Sequence, residues 1–336
     1  MTHELKNIVA AFLVAKRKRL KTAMATVVDL DGSSYRKPGV RMLLQEDGLL
    51  TGAVSGGCVE KEILNQAQSV FTSGIAKMMT YDGRYRLGCE GILYILIEPF
   101  NPNEEFLKAF GSILDKRIDF NITSYYLKDV GENENMGTLF NLLGAEYSLR
   151  ESFKKKEGFL VFKEIKKPCF QLVIVGAEHD AVQLGLFASN TGWEVTVVAA
   201  ASEEKTKADF PGIKQMLSVE PEMFSAEIVD ENTAVILMTH SYVRDLKYLL
   251  ALKDSLPIYL GILGPSKRRE KLLNELIERT PEVNEELLNR VYGPSGINIG
   301  AETAQEIAVS ILAEILSVVR NQKPILLKDK LGGIHS

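Results

Sequence analysis

The run Val54-Ser55-Gly56-Gly57-Cys58-Val59-Glu60 carries the strongest chemical signal in this chain. A strand-like segment enters two glycines, which let the main chain turn sharply and approach a ligand closely. An apolar-periodic run follows, so the spacing predicts a helix opening at the cysteine. The free N–H groups of a helix start suit an anion and favour a cysteine thiolate. Ser55, Gly56, Gly57, Cys58 and Glu60 are therefore candidate contacts to a bound group; a plain strand–helix turn with an inert cysteine is the alternative. Leu87-Gly88-Cys89-Glu90-Gly91 places Cys89 just ahead of a second predicted strand, where it either joins Cys58 or packs in the core. Asp31–Gly39 gathers Ser33, Ser34, Arg36 and Lys37 between glycines. That composition fits a phosphate-binding loop and equally a solvent-facing turn.

A second group of candidates lies in the C-terminal half. Gly176-Ala177-Glu178-His179 follows an apolar strand where G-x-G-x-x-G would open a dinucleotide site, but only the first glycine is present. Glu178 stands where the main chain should approach a pyrophosphate, and its carboxylate would repel one. The next strand ends in Ala199-Ala200-Ala201, without the acid that holds an adenosine ribose. His179 is better placed, at the carboxyl end of a parallel strand, where such sheets put ligands. Thr239-His240-Ser241-Tyr242 occupies the same rim, with Asp245 one helical turn on. Gly264-Pro265-Ser266-Lys267-Arg268-Arg269 adds a helix start with three cations, an anion site in prospect. Each of these also reads as ordinary structure: a satisfied histidine, a solvated helix start. Thr303 and Glu306 form a capping box that starts a helix over 304–319. There is no GxSxG elbow, HExxH pair or Walker loop to insist on a hydrolase, a zinc enzyme or a kinase.

These residues need a frame. At 336 residues the chain predicts two domains. Residues 1–167 read as a mixed α+β domain. A helix is predicted over 3–20, strands over 23–30, 40–45, 49–54, 77–81, 91–98, 120–127 and 159–164, and a helix over 59–72. The first helix ends in the basic cluster Lys16–Lys21, which reads as a solvated terminus favoured by the helix dipole. Residues 131–135 read as a polar loop. Residues 168–321 alternate apolar strands (172–175, 194–199, 233–238, 257–262) with helices, as in an open, Rossmann-like parallel sheet. Residues 322–336 form a polar tail. The fold class expected is α/β, mixed α+β first and parallel second. A net charge of −4 gives no reason to expect a nucleic-acid partner. Three cysteines, none in a CxxC pair, argue against structural zinc and suit a reducing cytosol. The first twenty residues do not read as a signal peptide, and no apolar run is long enough to span a membrane. A cytoplasmic location is the expectation.

Taken together, these motifs resemble the XdhC/CoxI family. The resemblance rests on Gly32-Ser33-Ser34, Arg36, Pro38-Gly39, Met42, Ser55–Glu60 and Gly88-Cys89 in the first domain. In the second it rests on Val175-Gly176-Ala177 with His179, Thr239-His240-Ser241, Leu260–Gly264 and Ile299–Thr303. Order and spacing agree over roughly residues 5–320. The resemblance implies an accessory protein that binds molybdenum cofactor (molybdopterin) transiently and supports its sulfuration by a cysteine desulfurase. It also implies delivery to a xanthine-dehydrogenase-type molybdenum hydroxylase. Molybdenum in this cofactor is sulfur-ligated, so a thiolate such as Cys58 suits it as a soft metal-side contact, and the pterin's phosphate needs an anion site. The implied contacts are Ser33, Ser34, Arg36, Ser55, Gly56, Gly57, Cys58, Glu60 and Cys89, with Gly176, His179, His240, Ser241, Ser266 and Arg268 in the second domain. Three cysteines fall short of the hydroxylase's iron–sulfur ligand sets, so the chain is not expected to be that enzyme. An NAD(P)-dependent oxidoreductase is the alternative, a pure scaffold a third, and a homodimer is left open.

Overall fold

The computed structural model describes residues 2–32, 37–54, 57–83 and 91–331, with the main chain alone for Cys58. The chain divides into two compact units, Met1–Pro168 and Cys169–Ser336.

The first unit begins with helix α1 (Thr2–Arg17). Strands β1 (Thr22–Gly32), β2 (Arg41–Gln45) and β3 (Leu50–Gly52) follow, then helix α2 (Cys58–Ser73) and strands β4 (Lys77–Asp82) and β5 (Gly91–Pro99). With the two-residue β7 (Gly131–Glu132) they form an antiparallel sheet in the order β3-β2-β1-β5-β4-β7. Apolar side chains alternate along β1 and both faces are buried. Ala23, Ala25 and Val27 pack with Val59, Ile63, Ala67 and Val70 of α2. Met24 turns the other way, to Leu5, Ile8 and Phe12 of α1. A register shift between Val27 and Asp29 re-aims the end of β1, as bulges do beside functional segments. Its last rung pairs Gly32 with Gly91. The described residues just ahead of 33–36 and just after 84–90 in the chain are therefore paired with each other.

Three features differ from the expectation. Helix α3 (Glu104–Lys116) stands in a stretch that had no helix assigned, capped by the Asn103 side chain, which accepts from Phe106 N at 2.8 Å. Phe106, Ala109, Phe110 and Ile113 form its buried stripe. Strands β6 (Phe120–Tyr126), β8 (Gly137–Leu142), β9 (Ala145–Ser148) and β10 (Leu160–Lys166) make a second antiparallel sheet, order β10-β6-β8-β9, of which only β6 and β10 were anticipated. The expected polar loop contains β7, whose Gly131 pairs with Met78.

The second unit contains a six-stranded parallel sheet. Its strands are β11 (Gln171–Val175), β12 (Glu194–Ala199), β13 (Gln215–Ser218), β14 (Thr233–Leu237), β15 (Tyr259–Ile262) and β16 (Val291–Tyr292). The order is β13-β12-β11-β14-β15-β16, every pair parallel. Counted within the unit this is the Rossmann order 3-2-1-4-5-6, with its reversal between β11 and β14. The continuous apolar strands are buried on both faces. Leu172 and Ile174 pack toward helices α4 (His179–Asn190) and α8 (Ala304–Val319). Val173 and Val175 pack toward α5 (Tyr242–Ala251), α6 (Ser266–Arg279) and α7 (Glu285–Asn289). Among the described residues no helix is long and apolar enough to cross a membrane.

Candidate functional site

The turn into α2 is built around one glycine and one carboxylate. Gly57 has φ 101°, in the left-handed region, and an added Cβ would meet nothing within 4 Å. The requirement for glycine is therefore conformational, not steric. Cys58 is the first helical residue. Glu60 is buried, and its two oxygens accept from Val54 N at 3.1 Å and Gly57 N at 2.6 Å. Glu60, expected as a contact to a bound group, thus also ties Val54 to Gly57 ahead of α2. Ser33, Ser34, Arg36, Ser55, Gly56 and Cys89 lie outside the described residues.

The end of β1, from which the serine-bearing segment continues, is braced by groups that the sequence did not single out. Lys128 Nζ sits 3.0 Å from Asp29 Oδ2 and 3.1 Å from Asp31 Oδ1, and 4.3 Å from the centre of the Tyr94 ring. Tyr94 donates its hydroxyl to Asp31 at 2.7 Å, and Tyr126 donates to Asp29 at 3.1 Å. The Tyr94 hydroxyl and then Lys128 hold the Asp31 carboxyl below its usual range. Burial, and then the Asp29 charge, push Tyr126 up to about 12. On the far side of the turn after β1, Arg41 is almost fully buried. It donates to the Gly39 carbonyl at 3.0 Å and pairs with Glu164 of β10.

In the second unit, three strand ends converge on the carboxyl edge around the β11/β14 reversal. Gly176 leaves β11 at φ 131°, and a Cβ there would overlap the Met238 carbonyl. This glycine lets the main chains cross closely, so its part is packing between strand ends. Glu178 is the extended N-cap of α4, and His179 is its first residue, exposed. His240 is left-handed at φ 56°, and its Nε2 lies 3.8 Å from Asp180 Oδ2 in the first turn of α4. Thr239 and Ser241 lock the bend. Thr239 Oγ1 accepts from Ser241 N at 3.2 Å, and Ser241 Oγ caps α5 by accepting from Arg244 N at 3.4 Å.

The residue that organises this edge is Asp245, 1% exposed. Its Oδ1 accepts from Thr239 N at 3.2 Å and Thr239 Oγ1 at 2.6 Å, and its Oδ2 accepts from Arg268 Nη2 at 2.7 Å. Arg268 thus stands over the rim as an oriented cation, folded close to Gly264, whose φ is 111°. Ser266 opens α6 beside it and is exposed. The chain also has an acid close after β12. Glu203, in the short turn Ala201–Glu203, is engaged by Arg244 of α5. The edge offers three helix starts, of which those of α4 and α6 have no side-chain cap, and one fixed guanidinium, a set that can receive an anion. No cluster of three or more His, Cys, Asp or Glu suited to a metal ion occurs among the described residues.

The chain is a two-part α/β protein, an antiparallel unit with a left-handed glycine ahead of a helix-opening cysteine, followed by a Rossmann-type parallel unit. Residues 15–82 match the model of the XdhC and CoxI family and residues 172–315 that of the XdhC Rossmann domain. The chain belongs to the XdhC and CoxI family. It is 28% identical over 319 residues to a Bacillus subtilis protein named as a probable xanthine dehydrogenase subunit, covering 88% of this chain and 92% of that one. It is 26% identical over 308 residues to the molybdenum cofactor insertion chaperone PaoD of Escherichia coli, covering 89% and 84%. A crystal structure described as a xanthine dehydrogenase from Bacillus halodurans superposes with a TM-score of 0.77 at 26% identity, covering 94% of this chain and 97% of that one.

Proposed function

We propose that this chain is an insertion chaperone for the molybdenum cofactor. It holds the cofactor as cargo, supports its sulfuration by a cysteine desulfurase and passes it to a xanthine-dehydrogenase-type molybdenum hydroxylase. The observation that carries this reading is the start of α2, where a left-handed Gly57, fixed through Glu60, puts Cys58 at the first helical position. A cysteine so placed is favoured as a thiolate, and a thiolate is a soft partner for sulfur-ligated molybdenum. Ser33, Ser34, Arg36, Ser55, Gly56 and Cys89, from the motifs of the first unit, are assigned to the cargo with Cys58. In the second unit His179, His240, Ser241, Ser266 and Arg268 are assigned to an anionic part of the cargo, with Gly176 shaping the edge. The relative named as an insertion chaperone supports the reading. The protein's own part is to bind and orient, and no bond-making step is assigned to it.

The test is metal and pterin analysis of the full chain purified from a cofactor-producing host. Wild type is expected to carry molybdenum and pterin together. Cys58→Ala is expected to lose both while keeping its circular dichroism. Equal molybdopterin in the folded variant would remove Cys58 from the site, and a wild type devoid of cofactor would overturn the chaperone reading.

A further inference from the structure

The core between β4 and α2 encloses a polar atom that the fold does not use. Met79 and Tyr81 of β4 share this core with Val59, Ile63, Ala67 and Val70 of α2. Tyr81 is 7% exposed, and its hydroxyl oxygen is buried with no hydrogen-bond partner among the described residues. Native proteins keep few such atoms, and each asks for a cause, such as a role in chemistry or a bound group. Two bonds fix how α2 lies along the strands. Lys21, just ahead of β1, donates through Nζ to the Phe71 carbonyl at 2.8 Å, and Lys77, the first residue of β4, donates to Ser69 Oγ at 3.3 Å. The last turns of α2 thus lie over the start of β4. From Lys77 to Tyr81 the strand advances about 13 Å, and from Ser69 back to Val59 the helix covers about 15 Å. Tyr81 therefore comes level with the first turn of α2, where no side chain caps the amides. A phenol and the first amides of a helix are all donors, and together they suit an anionic oxygen.

We propose that Tyr81 is a further binding residue for the cargo, its hydroxyl donating to an anionic oxygen on the molybdenum side, the side assigned to Cys58. This contact presupposes the cargo reading of the α2 start. Its residue lies outside every motif of the sequence, and strand register alone brings it to the helix start. A phenylalanine would fill the same core space. The hydroxyl adds nothing to the empty protein except the cost of burying a donor unpaired. Binding removes that cost, because the bond is made only when the cargo is in place. The same hydroxyl discriminates: a group that offers no acceptor at this depth leaves it unpaired and is held less tightly.

The experiment compares wild type with Tyr81→Phe as full chains from three hosts: one that makes no pterin, one that makes the complete cofactor, and one starved of molybdate, which supplies the metal-free pterin. The empty variant is expected to melt at the wild-type temperature or above, since it loses no bond. From the cofactor-producing host it is expected to retain severalfold less molybdenum and pterin per chain, in line with about tenfold weaker affinity for the loss of one bond to a charged acceptor. With the metal-free pterin the two proteins are expected to retain equal amounts. A variant that holds the complete cofactor as wild type does overturns the proposal and leaves the chaperone reading standing. A wild type that carries no cofactor takes the reading and the proposal down together. An empty variant that melts lower would show that the hydroxyl already has a partner, and this too overturns the proposal. So does a deficit that persists with the metal-free pterin, which would put the acceptor elsewhere on the cargo.

Discussion

Asp245 has almost no contact with solvent, yet three donors converge on it: the Thr239 amide and hydroxyl, and the Arg268 guanidinium. Removing it leaves the Thr239 amide without its acceptor, leaves the Thr239 hydroxyl only the Ser241 carbonyl at 3.1 Å, and turns Arg268 loose. Asp245→Ala is expected to destabilise the protein by about 2–4 kcal/mol, toward the lower end because Arg268 can turn to water. Asp245→Asn is expected to cost less, and chemical denaturation measures both. The Lys128 brace behaves differently because it is exposed and titrates. The Asp29 and Asp31 carboxyls sit below the ordinary aspartate value of 3.8. Burial acts against this at Asp29 and is outweighed by Lys128, the Leu30 amide and Tyr126. A carboxyl with a depressed folded value contributes stability above its unfolded value and loses it as pH falls through the folded one. Lys128→Met should therefore lower the melting temperature at neutral pH, and the difference from wild type should shrink below about pH 4. An unchanging difference down to about pH 2 would show that the brace acts through packing alone. Asp245 and Arg268 stood out in the sequence, but neither their pairing nor the reach of Lys128 to Asp29 and Asp31 could be read there. Arg268 reaches Asp245 from 23 residues away and Lys128 reaches Asp31 from 97.

At the scale of elements, the α2 turn separates two effects that a sequence motif merges. Gly57→Ala keeps the hydrogen bonds but forces a side chain into left-handed main chain, at roughly 1–2 kcal/mol. Glu60→Ala keeps the glycine but leaves two main-chain donors without acceptors, at roughly 1–3 kcal/mol each where buried. Both variants are expected to lose molybdopterin on purification in proportion to lost turn geometry. Calorimetric melting alongside pterin content distinguishes this from global unfolding. The glycines, the cysteine and the helix after them were legible because a positive φ and a helix start leave marks in residue type. Strands β11, β12 and β14 were legible for the same reason, each being a short unbroken apolar run closed by a turn. Helix α3 also left its mark, in Asn103 followed by Phe106, Ala109, Phe110 and Ile113 at helical spacing, but the polar residues between them hid it. Strands β8 and β9 are short and partly polar, and only pairing across the sheet defines them.

At the scale of the whole molecule, strand order and local chemistry point in different directions. The parallel sheet has the order of a dinucleotide-binding fold, yet its first turn carries Glu178 in place of the second glycine. The acid after β12 is no longer free: Glu203 is engaged by Arg244. An uncompensated carboxylate near a pyrophosphate costs on the order of 1 kcal/mol or more at surface dielectric. The full chain is therefore expected to show no micromolar affinity for NAD or NADP in calorimetric titration. A micromolar dissociation constant for either would bring the oxidoreductase reading forward. The α/β class and its division into a mixed α+β part and a parallel part were evident from periodicity. The strand order was not, since it depends on which apolar runs lie side by side.

Gly32 and Gly91 face each other on the last rung shared by β1 and β5. Neither brings a side chain, so only main chain closes the sheet there. One neighbour of that rung continues toward Ser33, Ser34 and Arg36, and the other comes from Cys89. Solvent exchange of the amide hydrogens at this rung and at the adjoining Asp31–Ile92 pair reports on both segments at once. On the proposed assignment of the cargo to these segments, exchange at this rung is expected to slow when the cargo is bound. The same few deuterons then act as a gauge of occupancy, readable by mass spectrometry without a label on the cargo.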